Sequence, residues 1–298
     1  MAPQDGAARR SMLAVNRLEE IAMQRGRPPV STETRLYGMF LHAPEQRALV
    51  APALFNALFD QHGIDAMFMP LQVTAEQLAP AIAGMRRLRD FAGFCVTMPH
   101  KAAVAQLCDV LLPNAQACSV VNAVRIDADG RMIGETFDGV GMVKAIAAHR
   151  DLGGATRVLL VGAGGVAKAI AVALALAGIG QLAITNRSRG NADALVQTVR
   201  RAAPTCTVDA SALGDPSGFD IVINATSLGV NGDDPLPVDV SRISPAALVV
   251  EVVAVPPRTR LLEAATARGL AVVPGMAMMT PQLELVADFL GITRASAG

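Results

Sequence analysis

From about residue 34 onward, short apolar runs alternate with longer segments in which apolar residues recur every three or four positions. The first pattern is typical of buried β-strands, and the second of amphipathic helices. Strands are predicted at 35–40, 66–71, 91–97, 158–161, 181–185 and 219–224. Helices are predicted at 51–62, 74–86, 101–107, 113–118, 138–149 and 281–290. The alternation predicts an α/β protein with a parallel sheet in each half of the chain.

Turn and capping residues add detail to this pattern. Two further β-like runs, 120–126 and 131–135, flank Asp127-Ala-Asp-Gly130, and this arrangement predicts a hairpin. Thr74 is the predicted N-cap of the helix that follows it.

Composition excludes several classes of protein. Of the 298 residues 52% are hydrophobic and 17% are charged, and the formal net charge is zero. There is no Trp, and no cluster of basic residues is mixed with aromatic ones, which argues against nucleic acid as a partner. Residues 1–32 are a predicted extension with a short helix over 11–25 and no apolar signal segment, and no apolar run reaches membrane-spanning length. We therefore expect a cytoplasmic monomer or homodimer with no membrane partner.

The four cysteines indicate neither a disulfide framework nor a zinc site. Cys95, Cys108, Cys118 and Cys206 form no C-x-x-C pair and have no histidine at ligand spacing. Buried free thiols are expected, and no metal site is predicted.

The strongest chemical signal is a glycine-rich segment that follows the apolar run 158–161. Gly162, Gly164 and Ala167 fit the pattern G-x-G-x-x-G/A of a dinucleotide-binding turn. Gly162 permits a tight turn, Gly164 lets the backbone approach a pyrophosphate, and Ala167 lets the next helix pack closely on the strand. Such a turn can also serve packing alone, but the β-like runs that follow it favour a Rossmann-type domain.

Two charged residues, Lys101 and Asp138, stand just past predicted strands, where α/β proteins place their sites. Taken singly, a lysine after a proline is usually solvated, and an aspartate before a glycine is usually a helix cap.

Together with other segments, these two residues form a pattern that resembles the shikimate dehydrogenase family from about residue 35 to 291. Seven segments occur in the family's order, and each is similar to a family motif. They are Val96-Thr-Met-Pro-His-Lys101 (N-V-T-x-P-x-K), Ser119-Val-Val-Asn-Ala123 (G-A-V-N-T), Thr136-Phe-Asp-Gly-Val-Gly141 (N-T-D-G-x-G), Val161-Gly-Ala-Gly-Gly165 (the glycine loop), Asn186-Arg-Ser188 (N-R-T), Asn224-Ala-Thr-Ser-Leu-Gly229 (N-A-T-S-x-G) and Gly275-Met-Ala-Met-Met-Thr-Pro-Gln282 (G-x-G-M-L-x-x-Q).

The resemblance implies roles for individual residues. Lys101 is expected to carry the proton of a substrate hydroxyl that becomes a ketone, with Asp138 orienting it, and Thr97, Asn122 and Gln282 are expected to contact the substrate. The implied cofactor-binding residues are Gly162, Ala163, Gly164, Gly165, Val166, Asn186, Arg187, Ser188, Arg189, Thr226, Ser227 and Gly275.

The charges after the strand 181–185 predict NADP as the cofactor, with NAD possible. NAD-specific folds usually place Asp or Glu there to bind the ribose 2′-hydroxyl. This chain has Asn186 followed by Arg187 and Arg189, and two guanidinium groups can pair with a 2′-phosphate. The alternative is that both arginines are solvated loop residues, and Asn191 stands where NADP-using members carry a further Arg.

Departures from the family pattern cluster on the substrate side. The family's S-x-S-P, whose serines hold the substrate carboxylate, corresponds to Leu49-Val-Ala-Pro52. Cys95, Ala123 and Phe137 stand where the family has Asn, Thr and Thr, and Ala254 replaces the Tyr of D-x-x-Y-N-P. These losses of hydrogen-bonding groups predict retained redox chemistry on a changed substrate. His42 or Arg47 could supply a new anion contact, although a surface role is the alternative for each.

The resemblance implies a two-lobed enzyme with a cleft between the lobes. Residues 33–137 would form a substrate-binding catalytic domain, residues 138–274 a Rossmann domain, and the C-terminal segment 275–298 would pack back on the first. We expect an NADP-dependent dehydrogenase acting on shikimate or a related cyclic hydroxy acid, as a divergent paralogue. The alternatives are a non-catalytic nucleotide-binding regulator on the same fold and, with little support, a methylene-tetrahydrofolate dehydrogenase-like enzyme.

Overall fold

The computed structural model describes residues 30–42, 50–211 and 214–292. Within these ranges two six-stranded sheets form, one from each half of the chain. The first sheet contains β1 (Arg35–Leu41), β2 (Ala66–Gln72), β3 (Phe91–Val96), β4 (Val110–Leu111), β5 (Ala123–Ile126) and β6 (Met132–Glu135). The second contains β7 (Arg157–Val161), β8 (Gln181–Thr185), β9 (Thr207–Ala210), β10 (Ile221–Asn224), β11 (Leu248–Glu251) and β12 (Ala271–Val273). The predicted α/β class is confirmed, whereas the extension helix over 11–25 lies outside the described residues.

The first sheet, with strand order β2-β1-β3-β5-β6-β4, is mixed rather than wholly parallel. Strand β1 pairs in parallel with β2 and β3, but β5 is antiparallel to both β3 and β6. The expectation of a parallel sheet in this half was therefore wrong, while the hairpin predicted around Asp127–Gly130 is confirmed. The reason is local, because a connection this short can join only antiparallel strands. Asp127 Oδ1 accepts from the backbone N–H of Asp129 and Arg131, which closes the turn.

Nine α-helices flank the sheets within the described residues. They are α1 (Val50–His62), α2 (Ala75–Met85), α3 (Lys101–Leu107), α4 (Pro113–Cys118), α5 (Asp138–Ala147), α6 (Gly165–Leu176), α7 (Arg189–Ala202), α8 (Arg260–Ala267) and α9 (Met276–Leu290). Thr74 caps α2 through a reciprocal capping box with Gln77, as predicted. The last helix begins at Met276, five residues before the predicted start, and Pro281 lies inside it. None of the described helices is long and apolar enough to cross a membrane.

The second sheet is wholly parallel, with the order β12-β11-β10-β7-β8-β9. Its strand order changes direction between β7 and β10, and in open α/β sheets ligands bind at the carboxyl ends of the strands at such a switch point. Helix α6 starts immediately after β7 and packs on α5, where a Cβ added at Gly139 would lie 2.2 Å from the carbonyl oxygen of Ala169. Helix α9 also packs on α5. The helix that begins at Asp138 therefore connects the second sheet to the C-terminal helix.

Candidate active site

The glycine loop joins β7 to α6 at the switch point of the second sheet. Gly162 has φ +119°, a conformation that L side chains rarely adopt, and a Cβ there would lie 2.7 Å from the carbonyl oxygen of Ala225. Gly164 is the N-cap of α6, and a Cβ added to it would meet no atom within 4 Å. The first residue is therefore a glycine for conformational reasons, whereas the second leaves open space in front of a helix N-terminus. Such a terminus offers free N–H groups to an anion.

A cavity of about 640 Å³ opens in front of this loop. Strand ends from both sheets line it, so a ligand could contact both halves of the chain. Among the residues expected to bind cofactor or substrate, the cavity wall includes Gly162, Ala163, Gly164, Gly165, Val166, Asn186, Thr226, Ser227 and Thr97.

Four expected cofactor-binding residues lie outside this wall. Arg187, Ser188 and Arg189 follow Asn186 into the start of α7, and the Asn186 side-chain amide donates to the Ser188 carbonyl at 3.0 Å. Arg189 uses its Nε to bind Asp193 at 3.0 Å, and both side chains are more than half exposed. Gly275 instead packs on the second sheet, where an added Cβ would lie 2.4 Å from the Val253 carbonyl oxygen.

Three polar side chains expected to act on the substrate converge on the carboxylate of Asp138. The ammonium of Lys101 donates to Oδ2 of Asp138. Oδ1 of Asp138 accepts from Nδ2 of Asn122 at 2.8 Å and from Nε2 of Gln282 at 2.7 Å. Lys101 and Asp138 are 7% and 2% exposed, so bulk water screens their interaction little. The structure thus brings together residues that are as far apart as 181 positions in the chain.

Three members of this cluster stand at or beside the start of a regular element. Lys101 is the first residue of α3, and Asp138 is the first residue of α5. Asn122 directly precedes β5, and its Oδ1 accepts from the backbone N–H of Phe137 at 3.0 Å. This bond turns the amide nitrogen of Asn122 toward Asp138.

Gln282 reaches the cluster because α9 approaches α5 closely. A Cβ added at Gly141 would lie 2.9 Å from the Met278 carbonyl oxygen and 3.2 Å from Cβ of Gln282. The absence of a side chain at Gly141 therefore lets the two helices pack at the height of Asp138.

The positions that depart from the family pattern contribute apolar groups near this cluster. Cys95 and Ala123 are buried in one apolar cluster of the first sheet, and Ala51 and Phe137 pack against it. The Phe137 ring lies 5.4 Å from the Phe289 ring. Burial raises the pKa of Cys95 to about 12, so its thiol stays neutral. Leu49, like Arg47, lies outside the described residues.

One wall of the cavity comes from residues for which no binding role was predicted. Residues Val252, Val253, Ala254 and Val255 follow β11 and line the cavity, as does Val230. The available signal was their position, since they follow a strand of the same parallel sheet. His42, directly after β1, also lines the cavity, where a bound ligand could reach it.

Within the described ranges, no three His, Cys, Asp or Glu side chains are grouped so that they could hold a metal ion.

Comparisons with known proteins agree with this geometry. Residues 47–124 match the family model described as shikimate dehydrogenase substrate binding domain, and residues 146–229 match the model described as shikimate / quinate 5-dehydrogenase. The shikimate dehydrogenase (NADP(+)) of Rubrobacter xylanophilus is 39% identical over 261 residues, which cover 86% of this chain and 90% of that protein.

Two solved structures show the same architecture. The 5-ketofructose reductase of Gluconobacter sp. strain CHM43 superposes with a TM-score of 0.78 at 31% identity, covering 87% of this chain and 94% of that one. The shikimate 5-dehydrogenase of Listeria monocytogenes, in complex with shikimate and NAD, superposes with a TM-score of 0.77 at 29% identity, covering 88% and 92%.

Proposed function

The chain belongs to the shikimate dehydrogenase family, and from this membership we propose that it is an NADP-dependent oxidoreductase that interconverts a hydroxyl and a ketone on shikimate or a related cyclic hydroxy acid. The relative from Rubrobacter xylanophilus is named as an NADP(+) enzyme, and the Listeria structure contains shikimate. The observation that carries the proposal is the buried ion pair of Lys101 and Asp138. Neither residue lines the cavity, but Cβ of Lys101 lies 3.9 Å from a Cβ built on Gly165, which does. A protein that only binds a nucleotide has no need of such a pair.

The residues around the cavity fit a dinucleotide. The glycine loop, from Gly162 to Val166, and the N-terminus of α6 would hold the pyrophosphate. Asn186, Arg187, Ser188 and Arg189 would hold the 2′-phosphate end, and Thr226, Ser227 and Gly275 would contact the rest. When bound, NADP would accept or return the hydride of the reacting carbon.

Lys101 moves the proton in the proposed mechanism. During reduction the Lys101 ammonium donates a proton to the oxygen as the hydroxyl forms and is left as the neutral amine; during oxidation the neutral amine accepts the hydroxyl proton as the ketone forms, after the ammonium has released a proton to solvent. Asp138 orients Nζ through the Oδ2 contact. Because Asn122 and Gln282 both donate to Oδ1, the carboxylate has one defined orientation. From the family resemblance we expect the same two amides to contact the substrate as well. Thr97, in the cavity wall, would bind a further substrate hydroxyl.

We further propose that the substrate differs from that of the housekeeping enzyme. Ala51, Cys95, Ala123 and Phe137 replace hydrogen-bonding residues of the family and lie in or against one apolar cluster of the first sheet. The 31% identical 5-ketofructose reductase acts, by its name, on a keto sugar. Removing a polar contact to a substrate costs a few kcal/mol, so activity on shikimate should be weak. The first half of the chain would bind this substrate and the second half the cofactor. The cytoplasm is the proposed compartment, because it keeps four unpaired cysteines reduced.

The test is NADP+ reduction followed by absorbance, with shikimate, quinate and less polar cyclic alcohols compared by kcat/KM. Turnover of at least one cyclic alcohol is expected, with shikimate not the best substrate. Turnover restricted to shikimate at full efficiency would contradict the changed substrate. Binding of NADPH without turnover of any compound would favour the regulatory protein instead.

A further inference from the structure

A second buried carboxylate, Glu251, lies apart from the Lys101 cluster. It is the last residue of β11 and has no solvent exposure. Its donors are all uncharged, and each lies within hydrogen-bonding distance. They are Nδ2 of Asn224 (2.9 and 3.1 Å), Oγ1 of Thr259 (2.9 Å) and the backbone N–H groups of Val252 (2.8 Å) and Val253 (3.0 Å). Burial raises the pKa of this carboxyl, and the hydrogen bonds oppose the rise.

These contacts tie together two loops that wall the cavity. One loop follows β10 and contains Thr226 and Ser227, and the other follows β11 and contains Val252 and Val253. Glu251 binds the second loop directly, through its two backbone N–H groups. It reaches the first loop through Asn224.

Asn224 transmits the orientation of the carboxylate to Thr226. Its Nδ2 donates to Glu251 and to the Leu228 carbonyl, and its Oδ1 accepts from the backbone N–H and the hydroxyl of Thr226 at 3.1 and 2.7 Å. An ionised carboxylate can only accept hydrogen bonds. The Glu251 carboxylate therefore holds Nδ2 of Asn224 toward itself, so that Oδ1 of Asn224 accepts from Thr226.

We propose that Glu251 is a positioning residue for the cofactor, which sets Thr226 on one wall of the cavity and Val252–Val253 on the other. The inference rests on the proposed binding of NADP. Glutamine at this position has nearly the same shape, but its NH2 group is a donor and would face groups that are themselves donors. Either the Asn224 amide then rotates and loses its hydrogen bonds with Thr226, or a buried donor stays without an acceptor.

The variant Glu251→Gln tests this role by two readouts. The first is the Kd of NADPH, measured by fluorescence titration without substrate, and the second is the pair of KM values for NADP+ and for the alcohol. We expect the NADPH Kd and the NADP+ KM to rise about tenfold, which corresponds to one net hydrogen bond, and the KM of the alcohol to stay unchanged. A merely structural role would lower the amount of active enzyme and leave both KM values unchanged.

Two further variants serve as comparisons. Glu251→Asp keeps a group that only accepts hydrogen bonds, so its NADPH Kd should rise less than that of the glutamine variant. It can be measured in place of the glutamine variant if the latter does not fold.

Glu135→Gln makes the same change at a carboxylate of the first sheet, 4% exposed, which accepts from the backbone N–H of Ala115 and Thr136. Its NADPH Kd should equal that of the wild type. A wild-type NADPH Kd in Glu251→Gln would overturn the inference, and so would an equal rise of the NADPH Kd in Glu135→Gln. If the wild-type protein did not bind NADPH at all, both the proposed function and the inference would be overturned.

Discussion

Among single residues, Lys101 has the most direct bearing on chemistry, because its ammonium is the only cation bonded to Asp138 among the described contacts. We expect Lys101→Ala to lower kcat about 10²–10⁴-fold, the range that one general acid–base group supplies. The NADPH Kd should stay at the wild-type value, since the glycine loop does not depend on the lysine. Steady-state kinetics and fluorescence titration check the two halves of this prediction. Near-wild-type turnover would remove the proposed role.

Arg187 and Arg189 are expected to set the preference for NADP over NAD. Arg189 binds Asp193 through Nε alone, so its two terminal nitrogens remain available for a phosphate. Replacing both arginines by alanine should lower the ratio of kcat/KM for NADP+ to that for NAD+ by at least about tenfold to a hundredfold, since even one charge-assisted contact contributes roughly 1.5–3 kcal/mol. The kcat/KM for NAD+ itself serves as the control and should change little. An unchanged ratio would identify both arginines as solvated residues.

The thiols are expected to resist alkylation in the native protein. Burial raises the pKa to about 12 for Cys95 and Cys108 and to about 11 for Cys118, and it raises the pKa of Cys206 as well. Because the thiolate is the reactive form, iodoacetamide at pH near 8 should label the folded chain far more slowly than the unfolded chain. Mass spectrometry of labelled peptides measures this difference. Rapid labelling of Cys95 in the native state would show that its surroundings open.

At this scale the resemblance to a family predicted the Lys101–Asp138 pair and its partners, but local pattern alone did not. Nothing in the spacing of Asn122 and Gln282 indicates that both donate to Oδ1 of Asp138, since that depends on how α9 returns to α5. Glu251 matches the acidic residue of the family's D-x-x-Y-N-P segment, but its partners could not be predicted. A carboxylate at the end of an apolar strand looks solvated until its donors, which include Asn224 of the neighbouring strand and Thr259, are known.

At the scale of elements, the two glycines of Asp138-Gly-Val-Gly141 set the packing of α5. Gly139 faces α6, where its added Cβ would lie 2.2 Å from the Ala169 carbonyl oxygen and 2.7 Å from Cβ of Ala173. Gly141 faces α9. Helix α5 therefore connects the acid–base carboxylate to the helix in front of which the pyrophosphate is proposed to bind.

Gly139→Ala should consequently disturb both stability and catalysis. The nearest atoms belong to the α6 backbone and cannot rotate away, so we expect a loss of about 1–3 kcal/mol in the free energy of unfolding, as for other overpacked sites. Displacement of Asp138 should also lower kcat. Urea unfolding and steady-state kinetics measure the two effects.

Gly84→Ala provides the matched control. Gly84 lies in α2 and is exposed, and an added Cβ would meet nothing within 4 Å. Its replacement should leave kcat unchanged and raise the free energy of unfolding by up to about 1 kcal/mol, because alanine is the better helix former. Equal effects of the two substitutions would contradict the packing argument.

Elements with local determinants were predictable, and those decided by tertiary packing were not. The capping box of Thr74 and the turn after Asp127 are complete within a few residues, and both were found from the sequence. The last helix was predicted to start at Pro281. Helix α9 begins instead at Met276, with Gly275 as its N-cap close to Val253 and Pro281 inside the helix.

At the scale of the whole molecule, alternating strands and helices predicted two α/β halves but not the walls of the cavity between them. The Val252–Val255 wall follows a strand whose neighbour in the sheet, β10, lies more than twenty residues earlier in the chain. Strand order of this kind is set by how the sheet assembles. The segment that follows Glu251 therefore gave no local sign of its place.

The junction of the two halves through α5 leads to a prediction about cooperative unfolding. Tyr37 is the only tyrosine of a chain without Trp, and it is buried in the first sheet, stacked on Phe68. Tyr37 fluorescence therefore reports on the proposed substrate-binding half, whereas NADP+ is proposed to bind the second half of the chain.

At a concentration of about 100 times its own Kd, NADP+ should stabilise the folded chain by roughly 2.7 kcal/mol. Because α5 packs on both α6 and α9, we expect the tyrosine transition and the far-ultraviolet circular dichroism transition to shift together on heating. A shift in circular dichroism with an unmoved tyrosine transition would mean that the halves unfold independently.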